Sequence, residues 1–139
     1  MIMNDNFAEQ VQTVVGPLLT DLGFTLDEID SHVDEGGMRG SVVYYRAQDC
    51  KIQIYQSSRE GSINCMIAPL AAPNTFGPQD RSGGWQYLTK FVPIPEMSLE
   101  ELARSVSFEP KTSFEQLQWV RDNIADNFEA AHTGVVSTR

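Results

Sequence analysis

The chain is short of the residues on which several classes of protein depend. Its 139 residues include only two cysteines, two histidines and ten Lys or Arg, against 19 Asp or Glu. Two cysteines are too few for a disulfide scaffold, and no pair of histidines stands at a metal-ligand spacing. The deficit of bases gives a net charge of -9, which disfavours nucleic acid and anionic membranes as partners and allows a basic one.

Long hydrophobic runs are missing as well. No stretch approaches the 18 apolar residues of a membrane span, and the first residues have neither the basic nor the apolar region of a signal peptide. The composition, 41% hydrophobic and 21% charged, is that of a globular protein. We therefore expect a cytoplasmic protein that makes no contact with membranes, with residues 1–139 forming a single domain.

The sequence contains none of the common catalytic or phosphate-binding motifs. GxSxG, HExxH, GxGxxG and P-loop patterns are all missing, so nothing favours nucleophilic catalysis, a catalytic zinc or a bound nucleotide. Cys50 and Cys65 stand fifteen positions apart, which matches no zinc pattern, and we interpret them as free thiols. We expect no cofactor, no metal and no enzymatic activity, and keep an enzyme without a recognisable motif as an alternative.

Charge is segregated along the chain. Residues 1–38 contain eight acids and no Lys or Arg, residues 39–95 carry a net charge of +3, and residues 96–139 carry -4. One explanation is pairing of these charges within the domain. The other is an acidic face that attracts a basic protein.

The first element is predicted to be an amphipathic helix. Apolar residues follow a 3.6-residue period from Phe7 to Leu22, and Gly23 stands where a helix often ends. Gly16-Pro17 interrupts the pattern, because an interior proline removes a backbone hydrogen bond. Since the apolar stripe keeps its phase across the interruption, we expect a kink rather than two helices.

The period then changes from 3.6 to 2. A short first strand is expected to begin at Phe24, followed by strands at 41–46, 51–57 and 62–68 in an antiparallel meander. With tight turns, the numbers of facing residues add up to about 97 across the second and third strands and about 119 across the third and fourth. One face of the sheet is then apolar and predicted to form the core: Val43, Tyr45, Ile52, Ile54, Ile63, Cys65 and Ile67.

The opposite face mixes aromatic, polar and basic side chains. Packing of the apolar face on helices would turn these side chains outward, where tyrosine and methionine suit protein contacts. The alternative is that the first helix or the loop at 69–84 covers them as a second layer. On the first interpretation the protein-binding residues are Tyr44, Gln53, Tyr55 and Met66, with Arg46 and Lys51 at the rim.

Residues 69–84 form a long loop without periodicity, in which Phe76 and Arg81 are the candidate contact residues. A short helix is predicted from Ser98 to about Val106, and a last helix opens at Thr112-Ser113. Trp119 lies about 160° from Leu117 on that helix, so it either packs against another element or contacts a partner. The apolar stripe of the last helix is predicted to contain Phe114, Leu117, Val120, Ile124 and Phe128.

These patterns predict an α+β domain: an N-terminal helix, a three- to four-stranded antiparallel meander, and C-terminal helices on one face of the sheet. The stretches Leu22-Gly23-Phe24, Val42–Arg46 and Ile52–Tyr55 resemble the openings of two kinds of small bacterial protein, over about residues 7–68. These are immunity proteins of polymorphic toxins and type III secretion chaperones. The resemblance implies a non-catalytic module that binds another protein, first as a toxin inhibitor, alternatively as a chaperone or adaptor, and it leaves a homodimer open.

Overall fold

The computed structural model describes residues 3–37, 39–58, 61–81, 83–88 and 113–136. They form the predicted α+β fold. In the described part of the chain, three α-helices, α1 (Met3–Val14), α2 (Gly16–Asp21) and α3 (Ser113–Val136), accompany one antiparallel sheet. The predicted helix from Ser98 to about Val106 lies outside the described residues.

The sheet has five strands that lie side by side in chain order. They are β1 (Thr25–Asp34), β2 (Arg39–Arg46), β3 (Cys50–Ser57), β4 (Ser62–Pro69) and β5 (Gln86–Tyr87). Consecutive antiparallel strands need only turns between them, which is why alternating hydrophobicity and turn residues were enough to predict the meander. The fifth strand is two residues long and lies within residues 85–92, whose sequence fits either a short helix or a strand.

The break at Gly16-Pro17 separates α1 from α2, with Val15 alone between them. Helical hydrogen bonds nevertheless continue through this residue, from Val15 N to Val11 O at 2.8 Å and from Leu19 N to Val15 O at 3.1 Å. Proline at the second position of α2 lacks only a donor that a helix start leaves unused. The two segments therefore keep one apolar stripe in phase, with Val11, Val15 and Leu19 fully buried.

The predicted register is confirmed. Val43 faces Ile54 across β2 and β3, and Ile54 faces Cys65 across β3 and β4. The apolar face packs against the helices, and all seven of its predicted residues are buried there. We call this the helix side of the sheet. Both cysteines are buried free thiols.

The first strand was predicted to be short, and this was wrong. It has ten residues and is the longest of the five strands. Its register against β2 shifts twice, between Leu26 and Glu28 and between Asp30 and Val33. Such bulges break strict alternation, which is the signal that sequence reasoning uses to find a strand. The strand ends in a turn where Asp34 Oδ1 accepts hydrogen bonds from the backbone N–H groups of Gly36 and Gly37.

The last helix packs mainly on β4 and also contacts α1 and β3. Leu117, Val120 and Ile124 are buried as predicted, and Phe128 is half-buried against Phe24, with ring centroids 5.7 Å apart. Phe114 was predicted to belong to the apolar stripe, but its burial is not confirmed, because 52% of it is exposed. It lies in the first turn of α3, outside the part of the stripe that meets the core.

Candidate functional site

The mixed face predicted to bind a partner is buried. Tyr44, Gln53, Tyr55 and Met66 are at most 4% exposed, and Lys51 is buried as well. Of the two interpretations of this face, the open contact surface is wrong and the alternative is confirmed: a second layer covers the face. The described part of residues 69–84, which we call the cover loop, forms that layer together with Trp85, and Ala72 and Phe76 pack there. We call this side of the sheet the loop side.

The polar side chains of the loop side hold the cover loop through its backbone. Lys51 Nζ donates to Ala72 O at 2.6 Å. Gln53 uses both ends of its amide: Nε2 donates to Thr75 O at 2.9 Å, and Oε1 accepts from Gly77 N at 2.8 Å. An irregular loop can be buried only if its peptide groups find partners. The polar residues that suggested an external partner therefore bind the chain itself.

Aromatic packing completes this layer. Phe76 packs edge-on against Tyr55, with ring centroids 5.3 Å apart, and Trp85 packs against Tyr44. Trp85 Nε1 donates to Pro73 O at 2.9 Å. A Cβ on Gly77 would collide with Met66 and Tyr55, so the closest approach of the loop requires glycine. Phe76, a candidate contact residue in the sequence, is a core residue of the second layer.

Three predicted contact residues do remain exposed: Arg46, Arg81 and Trp119, of which Trp119 is 42% exposed. They belong to different elements, namely the end of β2, the cover loop and α3. Arg46 lies opposite the buried Lys51 across β2 and β3, at the rim of the predicted site. Trp119 belongs to α3, which packs on the helix side of the sheet.

The first edge of the sheet, strand β1, is largely exposed. No described strand pairs with the outer edge of β1, and nine of its ten residues are exposed or half-exposed. Leu26 and Ile29 are 45% and 42% exposed, although both are large and apolar. An edge strand presents a row of backbone N–H and C=O groups that can pair with another extended chain.

The two sides of β1 differ in chemistry. Leu26 pairs with Tyr45 and Ile29 with Val43, which places both on the helix side. Glu28 pairs with Tyr44 and Asp30 with Val42, which places both acids on the loop side. The edge is thus apolar along one side and acidic along the other.

The electrostatics of this edge are dominated by carboxylates. The strand contains four acids and no Lys or Arg: Asp27, Glu28, Asp30 and Asp34. Burial raises the pKa of the Tyr44 hydroxyl, and the negative charges of Glu28 and Asp30 raise it further. Burial lowers the pKa of Lys51, although the nearby charge of Asp27 acts in the opposite direction. Asn74 Nδ2 donates to Asp27 and to Glu28, each at 2.9 Å, and so joins the cover loop to the edge.

Two other features could be considered as sites. An open groove of about 380 Å³ lies between α1 and α3, lined by Thr13, Val14, Phe114, Gln118, Arg121 and Asp122. Its walls contain one positive and one negative side chain, Arg121 and Asp122, so neither sign of charge predominates. The second feature is a cluster of Asp49, Cys50 and His132, whose ligand-type atoms all lie within 4.8 Å of one another.

This cluster does not have the geometry of a nucleophilic triad. The Asp49 carboxylate contacts His132 Nε2 at 2.9 Å, and the Cys50 sulfur lies within 4.8 Å of both groups. A catalytic arrangement would need the imidazole next to the thiol. Burial, together with the charge of Asp49, raises the pKa of Cys50 to about 12, so the thiolate is disfavoured.

Comparison with protein-family models, with curated proteins and with solved structures finds no match to this chain. None of the helices in the described part of the chain combines the length and apolar character needed to cross a bilayer.

Proposed function

We propose that this protein is a protein-binding module that adds an extended basic segment of its partner to the outer edge of β1. The observation that carries the proposal is the composition of that edge: ten residues with four acids, no Lys or Arg, and two exposed large apolar side chains. Strand addition takes its affinity from main-chain hydrogen bonds and its specificity from alternate side chains.

The chemistry of the edge defines the segment that fits it. A strand paired with β1 would place alternate side chains next to Glu28 and Asp30 on one side, and next to Leu26 and Ile29 on the other. Lys or Arg alternating with apolar residues satisfies both sides. A second copy of β1 fits poorly, because its acids would face the acids of the first copy.

Inhibition of a toxin with a basic segment is the first specific form of this proposal, following the resemblance to immunity proteins. A secretion chaperone or adaptor is the alternative, and it would hold the extended segment of an unfolded client. The two forms differ in the state of the partner: an inhibitor binds a folded toxin, whereas a chaperone binds a segment that is unfolded before it binds.

A peptide of ten alternating Lys and Val residues tests the proposal, with binding measured by fluorescence anisotropy at low salt. We expect saturable binding that weakens as salt is added, because the charges are exposed. A peptide of the same composition with its Lys and Val residues in two blocks should bind more weakly. So should the alternating peptide with N-methylated backbone, which has lost its donors.

Paired charge variants locate the binding site. Glu28→Gln/Asp30→Asn should weaken binding about two- to thirtyfold, since each exposed ion pair contributes about 0.2–1 kcal/mol. Asp126→Asn/Glu129→Gln makes the same change in net charge on exposed positions of α3 and should leave binding nearly unchanged. If both variants weakened binding equally, the affinity would depend on net charge alone. That result would contradict a binding site on β1.

A further inference from the structure

The cluster of Asp49, Cys50 and His132 joins two parts of the chain that are more than 80 positions apart. His132 Nε2 lies 2.9 Å from Asp49 Oδ2, and the Cys50 sulfur is within 4.8 Å of both ligand-type atoms. The proposed binding edge includes none of these residues. Among the described residues, this is the group of three His, Cys, Asp or Glu side chains close enough to hold one metal ion.

The fold fixes each of the three side chains. Asp49 ends the turn between β2 and β3, and Cys50 is the first residue of β3. A hydrogen bond from Ala47 N to Cys50 O at 2.9 Å closes the turn. His132 is near the end of α3, where its ring stacks on Phe128 with centroids 5.3 Å apart. The neighbouring Ala131 is fully buried. The turn, the strand and the helix that carry the three ligands are thus positioned by contacts that do not depend on a metal ion.

We propose that Asp49, Cys50 and His132 bind one zinc ion, with water as the fourth ligand. Thiolate, imidazole and carboxylate are the three protein ligands that Zn²⁺ uses, and three of them with one open position make a four-coordinate site. Zinc displaces the proton of the Cys50 thiol, which is released to solvent. The resulting thiolate and the Asp49 carboxylate together neutralise the charge of the ion. The hard cations Mg²⁺ and Ca²⁺ take oxygen ligands and do not suit this set.

The present distances are close to those that zinc requires. Bonds of about 2.0 Å to nitrogen and oxygen and about 2.3 Å to sulfur place tetrahedral ligand atoms about 3.3–3.5 Å apart. The His132 to Asp49 contact would open by a few tenths of an ångström, and the sulfur would move closer. The side chains of His132 and Asp49 are 34% and 40% exposed, so an ion can reach the site from solvent while Cys50 closes it from inside.

The chain supplies its own controls, because it has two cysteines and two histidines and only one of each is in the cluster. Zinc binding to untagged, reduced protein is measured by isothermal titration calorimetry. We expect one zinc ion per chain, and an affinity at least about a hundredfold lower in His132→Gln and in Asp49→Asn. His32→Gln and Cys65→Ala should retain the affinity of the unchanged protein.

Cobalt provides a second readout that does not require replacement of Cys50. Co²⁺ added to the unchanged protein should give the intense charge-transfer absorption of a cobalt–thiolate bond, together with the visible bands of tetrahedral cobalt. Cys65→Ala should keep this spectrum. Zinc should also raise the melting temperature of the unchanged protein and not that of His132→Gln.

Three results would overturn the proposal. One is the lack of stoichiometric zinc binding at micromolar concentrations. The second is binding that His132→Gln retains at full affinity. The third is a cobalt complex without thiolate absorption, or with an absorption that disappears in Cys65→Ala.

Discussion

Strands β1 and β3 belong to one sheet and differ in almost every respect. The central strand, β3, is covered by helices on one side and by the cover loop on the other, and seven of its eight residues are buried. The edge strand, β1, has one buried residue in ten. Stability of the fold explains the side chains of β3. It does not explain exposed Leu26 and Ile29 beside four acids, and this difference is the basis for placing a binding site on β1.

The largest effect is expected where the cover loop meets β2 and β3. Tyr44→Ala/Tyr55→Ala should destabilise the protein by several kcal/mol, because removing a buried aromatic ring costs about 3–5 kcal/mol. Chemical denaturation measures this loss. A loss below about 1 kcal/mol would mean that the loop side is open, and that the comparison with β1 fails.

Ile54 tests the helix side of the same strand. Ile54→Ala should cost about 2–5 kcal/mol, since the side chain is fully buried between β2, β4 and the helices. The denaturation midpoint should fall without a change in slope. An unchanged midpoint would contradict the register of the sheet.

Gln53 tests the hydrogen bonds that hold the cover loop. Gln53→Met keeps the size of the side chain and removes its bonds to Thr75 O and Gly77 N. Leaving these two peptide groups without partners should cost about 1–3 kcal/mol. Faster proteolysis within residues 69–84 should accompany the loss; unchanged protease resistance would show that the loop is held by apolar packing alone.

Stability should fall in alkaline solution. Burial raises the pKa of Cys65 from its ordinary value of 9.0, so above pH 9 the unfolded chain loses a proton that the folded chain keeps. At pH 10 this thiol lowers stability by about 1.4 kcal/mol. Burial also raises the pKa of Tyr45, which adds to the effect, whereas the lowered pKa of Lys51 opposes it. Cys65→Ala should make the free energy of unfolding less dependent on pH between 8 and 10, and an unchanged dependence would contradict this assignment.

The smallest effect on stability is expected in β1. Ile29 and Ile54 lie in one row across the sheet, since both are opposite Val43. Ile29→Ala, matched to Ile54→Ala, should change stability by no more than about 0.5 kcal/mol because the side chain is exposed. It should weaken binding of the alternating Lys and Val peptide severalfold. A loss of stability as large as that of Ile54→Ala would show that Ile29 has a structural role.

The helix side of the sheet could be predicted from sequence because its signals are periodic. Apolar residues spaced by two and by 3.6 positions identified the faces of the strands and helices, and turn residues set the register that brings Val43 opposite Ile54. Phe114 was wrongly placed in the core. It fits the periodicity of the apolar stripe, but the turn of α3 that contains it extends beyond the core.

The loop side could be predicted only as one of two alternatives, an open face or a face covered by the first helix or the loop at 69–84. Its second layer is an irregular segment, and Lys51 and Gln53 looked like outer-surface residues because their partners are peptide groups of the loop, which have no sequence signature. The exposure of Leu26 and Ile29 was likewise hidden, since it depends on how far the helices extend across the sheet. The cluster of Asp49, Cys50 and His132 could not be predicted from metal-ligand spacing in the sequence, because His132 is far from the other two along the chain and meets them only in the folded structure.

Amide hydrogen exchange of β1, followed by NMR with and without the alternating Lys and Val peptide, tests the central claim most directly. Amides of Thr25–Asp34 that bond neither to β2 nor to a side chain should exchange rapidly in the free protein. Saturation with the peptide should slow their exchange markedly and leave the amides that line the α1–α3 groove unchanged. Slower exchange in that groove, or no change in β1 while the peptide is bound, would contradict a binding site at this edge.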